Sequence, residues 1–396
     1  MDDLLAGPVG RRRIRTLPSS ILPHQSSIPK RYFRSKVAVG LAKLILGLAF
    51  LLAVLLSGAS GRLHGLLQGL TDSYYLQLSG YLLVFLVGYA LAFLALDYYS
   101  DVVLEHRYDL SNQTTAGWLR RSAKEWLLSA VLVILTFNLL YALIRYLPNQ
   151  WWLAASAGWF VLMVLMSKIT PAIIVPLFYR LHPLPDRDLA DRLLALARRC
   201  GVRVRQVFEI GLSKETKKAN AAVVGLGGER RIVIGDTLLD LCTHDEIEAV
   251  FAHELGHVAL RHGWKLLGAA AASSVAGFYL LHLFYARTAT SLGFEGIADI
   301  GAVPLLMLFG VIGGLIARPF QAALSRYFER QADLFIVGKV ANPETLASAL
   351  EKLAGRNLAD PEPSRLAELL FYTHPPIARR IAYLCHAGTE GRNVGK

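Results

Sequence analysis

Thr243-His-Asp-Glu-Ile-Glu-Ala-Val-Phe-Ala-His-Glu-Leu-Gly-His-Val-Ala-Leu-Arg-His262 is the stretch on which the reading of this chain turns. His253, Glu254 and His257 form an H-E-x-x-H pentad at its centre. Two imidazoles at i and i+4 stand one turn apart on one helical face, so both can reach a single zinc ion. Glu254 stands beside the first ligand, where a carboxylate can deprotonate a zinc-bound water. Thr243 and Glu246 have the spacing of a capping box, which predicts a helix starting there and puts the pentad on it, as the chemistry requires.

Just upstream, Tyr179–Gly263 reads as a mixed segment. Asp186–Cys200 has helical periodicity, with Leu189, Leu193, Leu194 and Leu196 on one side. Val202–Ile210 is strand-like. Asn220–Val224 and Arg231–Gly235 read as short strands around Gly225-Leu-Gly-Gly-Glu-Arg230, a hairpin. These glycines are no nucleotide loop, because no Gly-Lys-Ser/Thr follows and the spacing fails G-x-G-x-x-G.

Further out, the chain changes character. Of its 396 residues 54% are hydrophobic and only 18% charged, the balance of a polytopic membrane protein. Six apolar runs reach bilayer length: Val37–Gly58, Leu78–Asp97, Leu127–Leu147, Trp152–Phe178, Trp264–Tyr285 and Ile300–Arg318. The fourth is overlong and holds Lys168, Pro171 and Pro176, so it is expected to bend on leaving the membrane. Lys168 either faces the bundle interior or snorkels. Basic residues cluster before the first run and between the second and third, and are sparse after the first, third and fifth. The positive-inside rule therefore makes the N-terminus, the 98–126 loop, the pentad and the C-terminal tail cytoplasmic. The same bias accounts for the net charge of +12 without nucleic acid. Cys200, Cys242 and Cys385 are too far apart for a thiolate zinc cluster and read as core thiols.

The expected fold class is a mostly α membrane protein, with about six transmembrane helices and a cytoplasmic α+β zincin-like catalytic portion built on a small sheet. Residues 1–36 form a basic segment that is mobile or lies on the surface, and 37–178 hold spans one to four. Residues 179–263 carry the edge strand and pentad helix, 264–318 a transmembrane hairpin, and 319–396 a helical catalytic tail with the amphipathic runs Gln321–Val340, Pro343–Ala354 and Ser364–Leu370.

A catalytic zinc takes three protein ligands and keeps one position open. The third candidate lies in Ser325-Arg-Tyr-Phe-Glu-Arg-Gln-Ala-Asp333, where Glu329 and Asp333 share a face at i and i+4. One can bind zinc and the other can accept the outer N–H of a ligand histidine. The bland alternative is a solvated helix pairing with Arg326 and Arg330. His262 reads as a helix-terminal polar residue, His374-Pro-Pro as a turn before a helix, and Asn220 as a turn residue.

With these motifs in view, the chain resembles the zinc-dependent type I CAAX prenyl endopeptidases, with the HtpX-type proteases as broader relatives. Further matches are Glu105-His-Arg-Tyr-Asp-Leu-Ser-Asn-Gln-Thr-Thr115, Pro176-Leu-Phe-Tyr-Arg-Leu-His-Pro-Leu-Pro185, Asn220-Ala-Ala-Val-Val-Gly225 and His374-Pro-Pro-Ile-Ala-Arg-Arg-Ile381. The resemblance implies one Zn2+ per chain held by His253, His257 and Glu329, with Glu254 as general base and Asp333 behind a ligand histidine. It implies that Asn220, Ala221 and Ala222 pair with an extended substrate. His374 and Arg380 would approach the cleft to stabilise the oxyanion or hold the substrate. The implied partners are a peptide or protein substrate, C-terminally prenylated in the family, and the lipid bilayer, with no nucleic acid. The composition suggests a bacterial member in the inner membrane. The rival readings are an HtpX-like quality-control protease and, in another class, a transporter or scaffold with a structural zinc site.

Overall fold

A computed structural model describes residues 27–225, 230–339 and 342–393. Six helices are long and apolar enough to cross a membrane. They are α1 (Ser27–Leu56), α3 (Tyr74–Arg107), α4 (Thr115–Tyr146), α5 (Trp151–Phe178), α8 (His262–Ser291) and the helix through Ile300–Val337, whose α-helical part is α9 (Val303–Lys339). A short helix, α2 (Ala59–Gln68), links the first two. Ile45, Leu91, Leu135 and Ile316 point outward. Such faces are costly in water and suit hydrocarbon, where only a self-satisfied backbone can stand.

The six expected runs coincide with these six helices, but the helices are longer. α1 starts at Ser27, so residues 27–36 are its first turns rather than a separate surface segment; residues 1–26 lie outside the described residues. The expected loop of 98–126 shrinks to 108–114, because α3 runs on to Arg107 and α4 begins after Thr114, whose side chain accepts from Gly117 N–H. The physical reason is general. A bilayer sets the length of the apolar run, while charged residues such as Arg120, Arg121 and Lys124 are good helix formers beyond it. The expected bend in the fourth span is a wide π-type turn at Thr170–Ile174, which takes up Pro171.

At one end of the bundle lies a four-stranded sheet of order β1-β2-β4-β3. β1 (Leu181–Pro183) is antiparallel to β2 (Gln206–Ile210), β2 is parallel to β4 (Arg231–Gly235), and β3 (Ala221–Val224) lies antiparallel to β4 at the edge. β2 is shorter than the expected Val202–Ile210, and β1 carried no alternation to betray it. The β3–β4 pairing is present, and the turn at 226–229 lies outside the described residues. α6 (Arg187–Arg199), capped by Asp186, buries Leu189, Leu193 and Leu196 against Ile232 and Ile234 of the sheet and Phe251 and Leu255 of α7 (His244–Ala259). α10 (Pro343–Arg356), α11 (Arg365–Phe371) and α12 (Ile377–Asn393) complete this end.

Two local features aim α7. The capping box is formed: Glu246 Oε2 accepts from Thr243 N–H at 2.8 Å, and Thr243 Oγ1 accepts from Glu246 N–H at 3.4 Å. Glu246 also accepts from Ser348 Oγ and Lys352 Nζ of α10, each at 2.7 Å, so one buried carboxylate ties the helix start to a neighbour. At the other end Arg261 adopts a left-handed φ of 57°, and the chain turns sharply into α8. Gly256 lets α7 close on α9: a Cβ there would lie 3.2 Å from Phe335 and 3.4 Å from the Ala332 carbonyl.

Burial pushes the Glu246 pKa up, but the hydrogen bonds from Lys352, Ser348 and Thr243 outweigh it, and the net shift is downward. A depressed folded value stabilises above the unfolded carboxylate pKa and is lost as pH falls through the folded one. Glu246→Gln is therefore expected to cost about 1–2 kcal/mol at neutral pH. It should also flatten the loss of thermal stability on acidification below about pH 4, measured by thermal unfolding in detergent from pH 7 to pH 3.

Candidate active site

α7 supplies His253 and His257, and α9 supplies Glu329 and Asp333. The two helices meet at Gly256, and the side chains converge. His253 Nε2 lies 3.2 Å from Glu329 Oε2 and 3.2 Å from His257 Nε2, and His257 Nε2 lies 3.3 Å from Glu329 Oε1. Among the described residues, His253, His257 and Glu329 form a group whose candidate ligand atoms all fall within 4.8 Å of one another.

The outer partners fix the proton positions. His253 Nδ1 is 2.9 Å from Asp333 Oδ1. An ionised carboxylate only accepts, so Nδ1 carries the proton and Nε2 presents a lone pair. On the other side, His262 Nε2 is 2.9 Å from Gln331 Oε1 and His262 Nδ1 is 3.0 Å from His257 Nδ1. The amide oxygen accepts, so His262 donates through Nε2 and accepts through Nδ1. His257 must then donate through Nδ1, which bares its Nε2 as well. Two imidazole lone pairs and a carboxylate thus face one point with no proton among them. Such atoms repel unless a cation lies between them, and a two-nitrogen, one-carboxylate set suits zinc chemistry. The residues present fit a metal ion. Burial disfavours a charged His253, but the hydrogen bonds to Asp333 and Glu329 prevail and raise its pKa, so a proton is the metal's competitor there.

Arg380 of α12 donates to both Asp333 oxygens, through Nε at 2.9 Å and Nη2 at 2.7 Å. It is buried, and Nη2 also comes within 3.3 Å of His253 Nδ1. The guanidinium, expected to approach the cleft, lines it with Nη1 3.8 Å from Glu329 Oε2, while Nε and Nη2 hold Asp333. His374 differs: its Nε2 is 3.1 Å from Glu329 Oε1, yet its side chain is 59% exposed at the mouth of the site. Glu254, half-buried, lines the cleft together with His253, His374 and Arg380.

That cleft encloses about 560 Å³. One wall is apolar, formed by Leu238, Val250, Leu346, Leu350, Leu353 and Ile377; Tyr32, Phe33 and Lys36 of α1 form part of the rim. Asn220 and Ala221 form the other side. Asn220 lies one residue before β3 and accepts from Gly235 N–H through its carbonyl at 3.0 Å. By alternation, Ala222 also turns its peptide groups to β4, while Ala221 and Val223 turn theirs to the free edge. Ala221 N–H is met by the Asn220 side-chain oxygen at 2.9 Å.

The motifs reveal neither Gln331 nor the α1 rim, and they present His262 only as a polar helix end. Its spacing from His257 was visible, but the contact depends on the left-handed turn at Arg261, which no periodicity announces. His262→Ala is expected to weaken metal affinity about 10- to 100-fold, and Gln331→Ala about tenfold, in chelator competition with zinc as probe and with far-UV circular dichroism unchanged.

Residues 183–387 match peptidase family M48, and residues 19–180 match the CAAX prenyl protease N-terminal domain, described as five membrane helices. The chain is 29% identical over 372 residues to the uncharacterized metalloprotease YhfN of Bacillus subtilis, covering 92% of this chain and 87% of the relative. It is 31% identical over 305 residues to the CAAX prenyl protease 1 homolog of Arabidopsis thaliana, covering 72% and 67%. The crystal structure of S. mikatae Ste24p superposes with a TM-score of 0.81 at 25% identity, over 90% of this chain and 88% of that one. These similarities set aside the transporter or scaffold alternative. With its metal-ligating group between two helices at one end of a six-helix bundle, the chain belongs to peptidase family M48 and is a multi-pass membrane metalloendopeptidase of the CAAX prenyl protease type.

Proposed function

We propose that this is a zinc endopeptidase that cuts extended peptides at the cytoplasmic face of a bacterial plasma membrane, with C-terminally prenylated chains as its preferred substrates. The observation that carries this reading is that Asn220 and Ala221, at the start of edge strand β3, line the same cleft as His253 and Glu254. An edge strand binds an extended chain through main-chain hydrogen bonds and asks little of its sequence. The aliphatic wall opposite suits apolar side chains near the cut. The names of the relatives support a prenylated substrate, and the loop charges support the orientation.

In this reading His253, His257 and Glu329 hold one zinc ion. When bound, zinc supplies Lewis acidity that polarises a carbonyl and acidifies water. Glu254 takes the proton of the attacking water and delivers it to the departing amine. Asp333, held by Arg380, keeps the His253 proton on Nδ1, and His262 does the same for His257. His374, exposed at the mouth, is the donor placed to meet the developing oxyanion. Ala221 and Val223 give the substrate its backbone partners, and the Asn220 side chain shapes the start of that edge.

Glu254→Gln should retain zinc and lose about 10²- to 10⁴-fold in peptide cleavage; full activity in this variant would refute the assignment. Val223→Pro removes an outward N–H without breaking the β4 ladder. It should raise KM about tenfold with little change in kcat, in assays on a quenched peptide. A panel of prenylated CAAX peptides, unprenylated counterparts and an unfolded membrane protein decides the substrate. Equal cleavage of the first two, with preference for the third, would favour HtpX-like quality control.

A further inference from the structure

On the far side of the Asp333–Arg380 pair from the cleft, a second hollow of about 400 Å³ opens along α9. Arg326 and Arg330 of α9 and Arg379 and Arg380 of α12 line it, with Asp333 and Glu368 as the only carboxylates in the lining among the described residues. Four guanidiniums against two carboxylates leave two positive charges uncompensated.

The individual contacts show where that charge resides. Arg380 is committed to Asp333. Arg379 pairs with Glu368 at 3.0 and 2.7 Å, yet its side chain is 63% exposed. Arg326 gives Nη1 to the carbonyls of Glu368 and Tyr372, and Arg330 lies over the Tyr383 ring at 5.6 Å. Among the described residues neither Arg326 nor Arg330 makes an ion pair with a carboxylate. Guanidinium forks held by carbonyls and an aromatic face, with donors to spare, match the oxygens of a phosphate group.

The hollow also continues the lipid-facing surface. Ile316, Phe320 and Tyr327 are exposed at i, i+4 and i+11 along one side of α9, so the stripe that leaves the apolar run climbs into the hollow. Arg326 stands six residues past Phe320, roughly 9 Å along the helix. That is close to the thickness of a headgroup layer, about 5–8 Å.

We propose that this hollow binds a phosphate-type anion, either the headgroup of an anionic phospholipid or a soluble phosphate. Arg380 and Pro375 line both this hollow and the cleft, and Arg326 grips the Tyr372 carbonyl two residues before His374. Occupancy therefore fastens the segment that carries His374.

The test uses the full-length protein and three sets of variants. Arg330→Gln with Arg379→Gln removes the two exposed arginines of the hollow, Arg330→Gln alone is the milder change, and Arg365→Gln removes an exposed arginine outside it. Inorganic phosphate is titrated calorimetrically against protein in detergent. Lipid retention is read by native mass spectrometry after reconstitution in phosphatidylcholine nanodiscs with and without phosphatidylglycerol. The expected result is binding of at least one probe, weakened about tenfold by the double variant and measurably by Arg330→Gln, and unchanged by Arg365→Gln. A response to phosphatidylglycerol alone identifies a lipid headgroup, and one to phosphate alone a soluble ligand. Binding of neither probe, or equal loss in the Arg365→Gln control, overturns the proposal.

Discussion

Two imidazole nitrogens 3.2 Å apart, each 3.2–3.3 Å from a different oxygen of one carboxylate, form a local conflict that the rest of the fold is built to sustain. A cation or a competing proton relieves the conflict, and the surrounding residues hold the arrangement in place. Gly256 lets α9 approach α7 closely enough for Glu329 to reach the histidines. The capping box and its links to Ser348 and Lys352 hold the start of α7. Asp333 with Arg380 on one side, and His262 with Gln331 on the other, keep each imidazole proton on the outer nitrogen. Loss of any of these supports leaves the ligand types intact but allows them to relax apart.

The two halves of the group are 76 residues apart in sequence and joined by the α8–α9 hairpin. In lipid that hairpin must satisfy its backbone polar groups internally, so its length and its turn set where Glu329 emerges. A second clamp acts at the opposite lip of the cleft. Glu105 of α3 receives hydrogen bonds from Tyr32 and Lys36 of α1 and an ion pair from Lys218, two residues before Asn220. The first transmembrane helix is thereby tied to the segment that leads into the edge strand. This gives the quoted Glu105 motif a physical role as the fastening between the bundle and the β3 edge.

How much of this could be read from the residues depended on the range of the interaction. The six helices, the capping box and the helical face of the pentad are local patterns, and the structure places them where the periodicity did, apart from the longer helix ends. β1 escaped notice because three residues, the last of them Pro183, carry no alternation. The seat of Arg380 and the His262–Gln331 link are long-range contacts set by the turn at Arg261 and the docking of α12, and neither leaves a spacing in the sequence. The resemblance located Arg380 near the site but not on which side of the histidine it stands. Only the two-point contact with Asp333 decides that.

Charge counting across the site supplies a reason for that arrangement. With imidazoles neutral and carboxylates ionised, Glu254, Glu329 and Asp333 contribute three negative charges and Arg380 one positive. The remaining two negatives in a largely buried setting are costly. A divalent cation at the ligand group brings the total to zero, whereas a monovalent ion or a single proton does not. Without Arg380, Asp333 would lose its partner and the histidine its orientation. The buried arginine thus balances the carboxylate that orients His253, while exposed His374 stands at the mouth of the same cleft.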